Sequence, residues 1–361
     1  MRNERFIALD GLRGIAAIAV LLRHFGSAAG PFRLPESHLA VDLFFLLSGF
    51  VLAHAYGARL ASGMSFWSFA KARLVRLYPL FFLGTMLGAA VAFWIAYQRA
   101  APANFADMTG SFVFNLGFLP SPFHDYAPFP FNGPAWSLFY EMLASLVFAL
   151  LAPRLGLKGL AVALALGLGV LIALAMDRGT LDSGARYTSF WGASARVTFS
   201  FVAGAAFYGA WRRWDLGRIS VPLSAPIFLM LAVFAIQPGA WRPVADVFIV
   251  VVMLPLILWL GACARPRGRA AKACEILGDL SYPLYALHYP LIGVAGGLWL
   301  AWDWGGVREM SWGLSALFAL GLIGLAYLAH VYYDAPVRRW LNERLRGARA
   351  PSPAKPARQA A

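Results

Sequence analysis

Stretches of roughly twenty apolar residues recur along this chain, each long enough to cross the ~30 Å hydrocarbon layer of a bilayer as a helix. They fall near residues 8–28, 40–57, 77–97, 134–152, 157–176, 195–211, 220–237, 243–263, 280–301 and 312–333. No water reaches the backbone inside lipid, so each stretch must satisfy its own N–H and C=O groups, and an α-helix does so. A soluble all-α protein is excluded because 60% of the residues are hydrophobic, leaving too little polar surface to cover a bundle of this size. The expected fold is therefore all-α and integral to the membrane. It is a bundle of about ten transmembrane helices over residues 1–346, with a basic tail at 347–361 whose Ala, Pro and Arg content predicts disorder.

Charge orients the bundle. The net charge of +14 would suit a nucleic-acid binder, but the basic residues cluster in short segments between apolar stretches and leave no separate module for one. With the N-terminus inside, 22 of the 31 Lys and Arg residues lie in inner segments and 6 in outer ones. Cytoplasmic loops carry such an excess, so both termini are expected in the cytoplasm. Arg13 and Arg23 bound the apolar run Gly14 to Leu22, and this segment is read as a retained first span rather than a cleaved leader. Cys263 and Cys274 flank a basic inner loop, where a disulfide is not expected. Neither has companions at a metal-ligand spacing, and no metal is expected.

Ionisable residues within spans are costly and mark functional interiors. Arg13 and His24 stand eleven positions apart in the first span, so they share one helix face and lie roughly 16 Å apart along it. Arg73 and Arg76, one turn apart before Tyr78-Pro79, join Arg13 in an inner basic layer. Guanidinium forks match phosphate oxygens, so this layer suits a phosphate-bearing ligand; ordinary positive-inside charge is the plainer alternative. An outer layer mixes acid and base: His24, Asp42 at the start of the second span, and Glu141 in the fourth. A histidine there can act as a base, with a carboxylate orienting it. His288, about half a span in from the inner side, is either a second lining group or a structural tie in a proline-broken helix. Ser48 precedes Gly49 and is read first as a close-packing position and second as a lining residue. The long segment 98–133, rich in proline and aromatic residues, suits a cap over a cavity or an ordered interfacial loop.

Taken in order, these motifs resemble the acyltransferase-3 family of membrane-bound O-acyltransferases of bacterial polysaccharides. The resemblance spans roughly 5–340 and rests on Leu9-Asp10-Gly11-Leu12, Arg13 with His24, and Asp42 to Phe50. Arg73 to Pro79, Trp136-Ser137 with Glu141, and Ser281-Tyr282-Pro283-Leu284-Tyr285 before His288 complete it. It implies that Arg13 and His24 are essential to acyl transfer, that Arg73 and Arg76 help bind the acyl donor, and that Glu141 is the acidic position after Trp-Ser. Trp136 is a possible lining residue. The implied donor is acyl-CoA, with acetyl-CoA foremost, entering from the cytoplasm. The implied acceptor is a carbohydrate or glycolipid hydroxyl on the outer face, and the implied location is the bacterial inner membrane. Some members carry a fused esterase-like domain, which is not seen here.

A transporter or flippase for a glycan or lipid-linked substrate is the alternative. Such folds show broken helices in matching places of two halves, whereas the polar residues here concentrate in spans one to four. A haem held by His24 and His288 is disfavoured by their different expected depths.

Overall fold

The computed structural model describes residues 6–98, 105–152, 154, 156–301 and 310–347. The N-terminal part runs α1 (Ile7–Phe25), α2 (Ala40–Ala61), α3 (Phe66–Gln98), α4 (Phe105–Leu116), α5 (Ala135–Leu151), α6 (Leu157–Arg178) and the single turn α7 (Tyr187–Phe190). It continues with α8 (Ala193–Trp214), α9 (Ser224–Ala235), α10 (Arg242–Phe248), α11 (Leu254–Cys263), α12 (Gly268–Ala301), α13 (Trp312–Ala329) and α14 (Ala335–Gly347). No β-strand occurs among the described residues beyond an isolated bridge between Val221 and Ala264. The apolar stretches lie largely on helix, although that expected at 220–237 is helical only over Ser224–Ala235. Five segments, Ser37–Ala61, Phe66–Gln98, Lys158–Arg178, Gly239–Cys263 and Trp312–Leu345, are long and apolar enough to cross a membrane by length and composition. The disordered tail expected beyond Gly347 lies outside the described residues.

Two helix boundaries differ from expectation, for the same physical reason. Helix α3 begins at Phe66 and α12 at Gly268, each about eleven or twelve residues before its apolar stretch. Apolarity marks where lipid begins, not where the helix begins. Ser65 accepts a hydrogen bond from the backbone N–H of Ser68 (3.2 Å) and caps α3. Lys71, Arg73 and Arg76 then continue the helix as good formers. Arg73 and Arg76 therefore sit inside a continuous helix rather than at its mouth.

Close seams join the helices in pairs. Helix α12 packs along α1, and α2 packs along α8. A Cβ on Gly14 would run into the Leu277 carbonyl, and those on Gly49 and Gly204 into the carbonyls of Phe201 and Leu46. Small residues let backbones meet where apolar attraction between helices is absent. Helix α3 packs against α12 and α5. The segment after α4 folds back over α3: Phe118 packs at a tilt against Phe81 at 4.1 Å and Phe131 stacks on Phe93 at 6.2 Å. Asn132 donates to the Ala286 carbonyl of α12 (2.9 Å). The described part of the proline- and aromatic-rich segment after α4 is thus an ordered cover over α3. Cys263 and Cys274 are buried free thiols.

Candidate active site

A cavity of about 410 Å³ opens among α1, α2, α3, α5, α12 and α14. Four arginines, Arg13, Arg73, Arg76 and Arg338, and one carboxylate, Glu141, line it. The anchoring is specific. Glu141 Oε1 accepts from Arg73 Nη2 (2.8 Å) and from Ser48 Oγ (2.9 Å). Arg13 Nε donates to Ser281 Oγ (2.8 Å) and its Nη2 to the Gly278 carbonyl (3.2 Å). Asp10 lies 3.6 Å from the same guanidinium. Arg73 keeps a buried Nε–H without a partner. A buried donor on a cation, in a wall where arginine outnumbers carboxylate, favours an anionic ligand.

The far wall is built by α12 and α5. Tyr282 donates its hydroxyl to the Leu77 carbonyl, tying α12 to α3. Tyr285 and Ser137 share a 2.5 Å hydrogen bond between hydroxyls, and both line the cavity. Three residues beyond Tyr285, on the same helix, stands His288, and its ring is 5.8 Å from that of Tyr285. The ring of His24 packs edge-on against His288 at 4.8 Å and against Tyr289 at 5.6 Å.

Backbone carbonyls fix both imidazoles. His24 Nδ1 lies 2.8 Å from the Val20 carbonyl, which only accepts, so Nδ1 carries a proton. In the neutral ring Nε2 then holds the lone pair. His288 Nδ1 faces the carbonyls of Leu284 (3.0 Å) and Tyr285 (2.8 Å) in the same way. Its buried Nε2 has no partner. The expected depths of the two histidines were wrong. His288 stands twenty residues into α12, and its ring touches that of His24, so the two are level. The rings touch, which leaves no room for an iron between them.

Asp42 and Trp136 belong to a third group. The carboxylate of Asp42, fully buried, receives Arg196 Nε at 3.2 Å on both oxygens and Nη2 more closely on Oδ2. Arg196 also donates to the carbonyls of Ser183 (2.7 Å) and His38 (3.0 Å), and its guanidinium lies 5.6 Å from the Trp136 ring. Nearby, Glu36, His38 and Asp246 are the described residues whose donor atoms approach as a metal-binding trio would, all within 4.8 Å. Arg242 already occupies Glu36 (2.6 Å), while Thr180 and the Leu181 N–H occupy Asp246 (2.9 and 2.7 Å). His38 faces a different carboxylate with each ring nitrogen, Glu36 at 3.5 Å and Asp246 at 3.3 Å. Glu36 Oε2, His38 Nδ1 and Asp246 Oδ1 are buried without a hydrogen-bond partner. On the loop beside this group, burial pushes the Asp182 carboxyl up, but His38, Arg23 and Arg196 together hold it below the ordinary carboxylate range.

Of the residues singled out in the sequence, Arg13, Ser48, Arg73, Arg76 and Glu141 thus meet at one cavity, His24 meets His288, and Asp42 meets Arg196. Ser48 is a lining residue while its neighbour Gly49 makes the close packing. Sequence reasoning missed Ser137 and Tyr285 as a bonded pair, Arg196 as a partner, and Arg338, which lies past the last expected apolar stretch at 312–333. A charged residue inside an apolar stretch was a signal for Arg196; no local pattern flags Arg338.

The family model described as an acyltransferase domain, acyltransferase-3, matches residues 6–331. The chain is 42% identical over 191 residues to "Protein 2 in picA locus" of Rhizobium radiobacter, covering 48% of this chain and 96% of that protein. It is 24% identical over 401 aligned positions to "Acyltransferase MdmB" of Streptomyces mycarofaciens, covering 98% of this chain and 97% of that protein. No solved structure gives a significant match.

Proposed function

The chain belongs to the acyltransferase-3 family and is a membrane O-acyltransferase, and we propose that it moves an acyl group, acetyl foremost, from cytoplasmic acyl-CoA to a hydroxyl of a carbohydrate acceptor on the outer side. One observation carries the reading: Tyr285 lines an arginine-rich cavity, and the helix bearing Tyr285 places His288 against His24. The donor's phosphates rest on Arg73, Arg76 and Arg13. Glu141 and Ser48 hold Arg73 in place. A pantetheine arm reaching about half of a ~30 Å core brings the thioester to the His24 level.

His24 Nε2 then takes the proton of the acceptor hydroxyl as its oxygen attacks the thioester carbonyl. The C–O bond forms, the C–S bond breaks, and the proton passes from His24 to the departing CoA sulfur. The Val20 carbonyl keeps the tautomer in which Nε2 is the base. His288 packs against the His24 ring. Asp42, through Arg196, holds α2 to α8 and so positions the wall bearing Ser48. In a family whose members act on bacterial glycans by resemblance, the setting is the bacterial inner membrane, with both termini cytoplasmic and ten spans.

The test is substitution of the base. His24→Ala is expected to lower transfer by at least about 10²-fold, the usual worth of a positioned general base, while the protein still inserts and accumulates. Transfer at the wild-type rate in that variant would remove His24 from the chemistry.

A further inference from the structure

Among the four arginines of the cavity, Arg338 is the one that the family-level reading leaves without a task. It comes from α14, near the end of the long apolar segment Trp312–Leu345, and lines the cavity with Asn342 one turn later. Its direction is imposed. Between α13 and α14 residues His330–Asp334 form a π-helical turn that buries Asp334 completely. Such turns widen a helix locally and re-aim the residues after them. Asp334 Oδ2 accepts from Arg338 Nη1 at 2.9 Å, and His330 Nδ1 lies 3.2 Å from the same oxygen. A quarter of the Arg338 side chain remains exposed, leaving the rest of its fork for a ligand.

Depth tells which part of a donor it meets. Phe25, next to His24, packs against Phe318 at 5.7 Å, so these residues are level. Helix α13 starts beside Gly30 at the His24 end and runs away from it. Arg13 is then twelve residues from the shared level and Arg338 twenty, or roughly 18 and 30 Å at the helical rise. Arg338 is therefore rooted about 12 Å farther from His24 than Arg13 is. In an acyl-CoA whose thioester lies near His24, the group at the opposite extreme is the nucleotide, and its most charged part is the ribose 3′-phosphate.

We infer that Arg338, aimed by Asp334 and flanked by Asn342, is a phosphate subsite at the inner mouth that recognises the 3′-phosphate of the donor. This rests on the acyl-CoA reading above. The diphosphate falls to Arg73, Arg76 and Arg13 deeper in, and the Asn342 amide offers a donor and an acceptor to the neighbouring ribose or base.

The experiment compares acetyl-CoA with 3′-dephospho-acetyl-CoA by calorimetric titration of the full-length protein in lipid nanodiscs. It uses wild type, Arg338→Lys, and Arg338→Gln, which drops the charge yet can still donate to Asp334. Wild type is expected to bind acetyl-CoA on the order of tenfold to hundredfold more tightly than the dephospho form, the range for a charge-assisted hydrogen bond. Arg338→Gln is expected to bind both forms equally, at the wild-type affinity for the dephospho form. Arg338→Lys should keep part of the preference. Equal binding of the two donors by wild type, or an undiminished preference in Arg338→Gln, overturns the subsite while leaving acyl-CoA as donor. Binding of neither donor by wild type removes the acyl-CoA reading and the subsite with it. If Arg338→Gln fails to accumulate, the wild-type comparison and Arg338→Lys still decide.

Discussion

His24 and Asp42 were expected in one layer and turn out to do different things. His24 meets His288 and Tyr289, and a backbone carbonyl sets its tautomer. Asp42 meets Arg196 in full burial. Two buried charges that depend on each other predict a clear asymmetry. Arg196→Met strands the Asp42 carboxylate and is expected to cost about 3–5 kcal/mol, whereas Arg196→Met with Asp42→Leu should recover most of it. Thermal unfolding in detergent checks both, and equal losses in single and double variants would contradict the assignment. Asp182 supplies a pH signature. Its folded carboxyl is held below the unfolded value, so its stabilising contribution is complete above that value, near 3.9, and fades as pH falls toward the folded one. Asp182→Asn is expected to flatten part of the acid limb of a melting-temperature profile, and an unchanged limb would show that the loop charges do not support the fold. The sequence marked these residues as anomalous, because charge inside an apolar stretch is visible at once. It did not pair them, because Asp42 and Arg196 are 154 positions apart and no local period links them.

The elements themselves were largely legible. Apolar runs located the helices because lipid leaves the backbone no alternative. What apolarity hides is the extension of a helix into polar sequence. The apolar starts at 8 and 280 put His288 at a different depth from His24, although the two rings touch, and the polar start of α3 made Arg73 and Arg76 mid-helix residues. The π-helical turn at His330–Asp334 left no pattern that a hydropathy reading detects. Packing between elements yields a contrast within one helix. Gly49→Leu places a side chain against the Phe201 backbone and is expected to cost well over 1–3 kcal/mol, the ordinary penalty of overpacking, about what abolishes accumulation. Gly57→Ala on the same helix meets nothing within 4 Å and is expected to leave accumulation intact or raise it. Quantifying membrane-inserted protein for the two variants checks the seam, and equal tolerance would mean that α2 and α8 do not meet closely.

At the scale of the molecule, an arginine-lined cavity and a pair of touching histidines lie on the same two helices, α1 and α12. Arginines gather at one end of α1 and histidines at the other, so the donor and the acceptor are proposed to arrive from opposite sides. Orientation follows from charge. A fluorescent protein fused after Ala361 is expected to fluoresce, and a phosphatase fused in the loop after Arg186 to be active; the reverse pattern would invert the proposed sidedness. The most direct measurement asks for the product. In a bacterium lacking the gene, surface and secreted glycans would be examined by proton NMR before and after mild base, with wild type or His24→Ala restored. The account predicts a base-labile acyl ester that disappears with the gene and returns with wild type alone. Esters unchanged in every glycan fraction, or fully restored by His24→Ala, would contradict it.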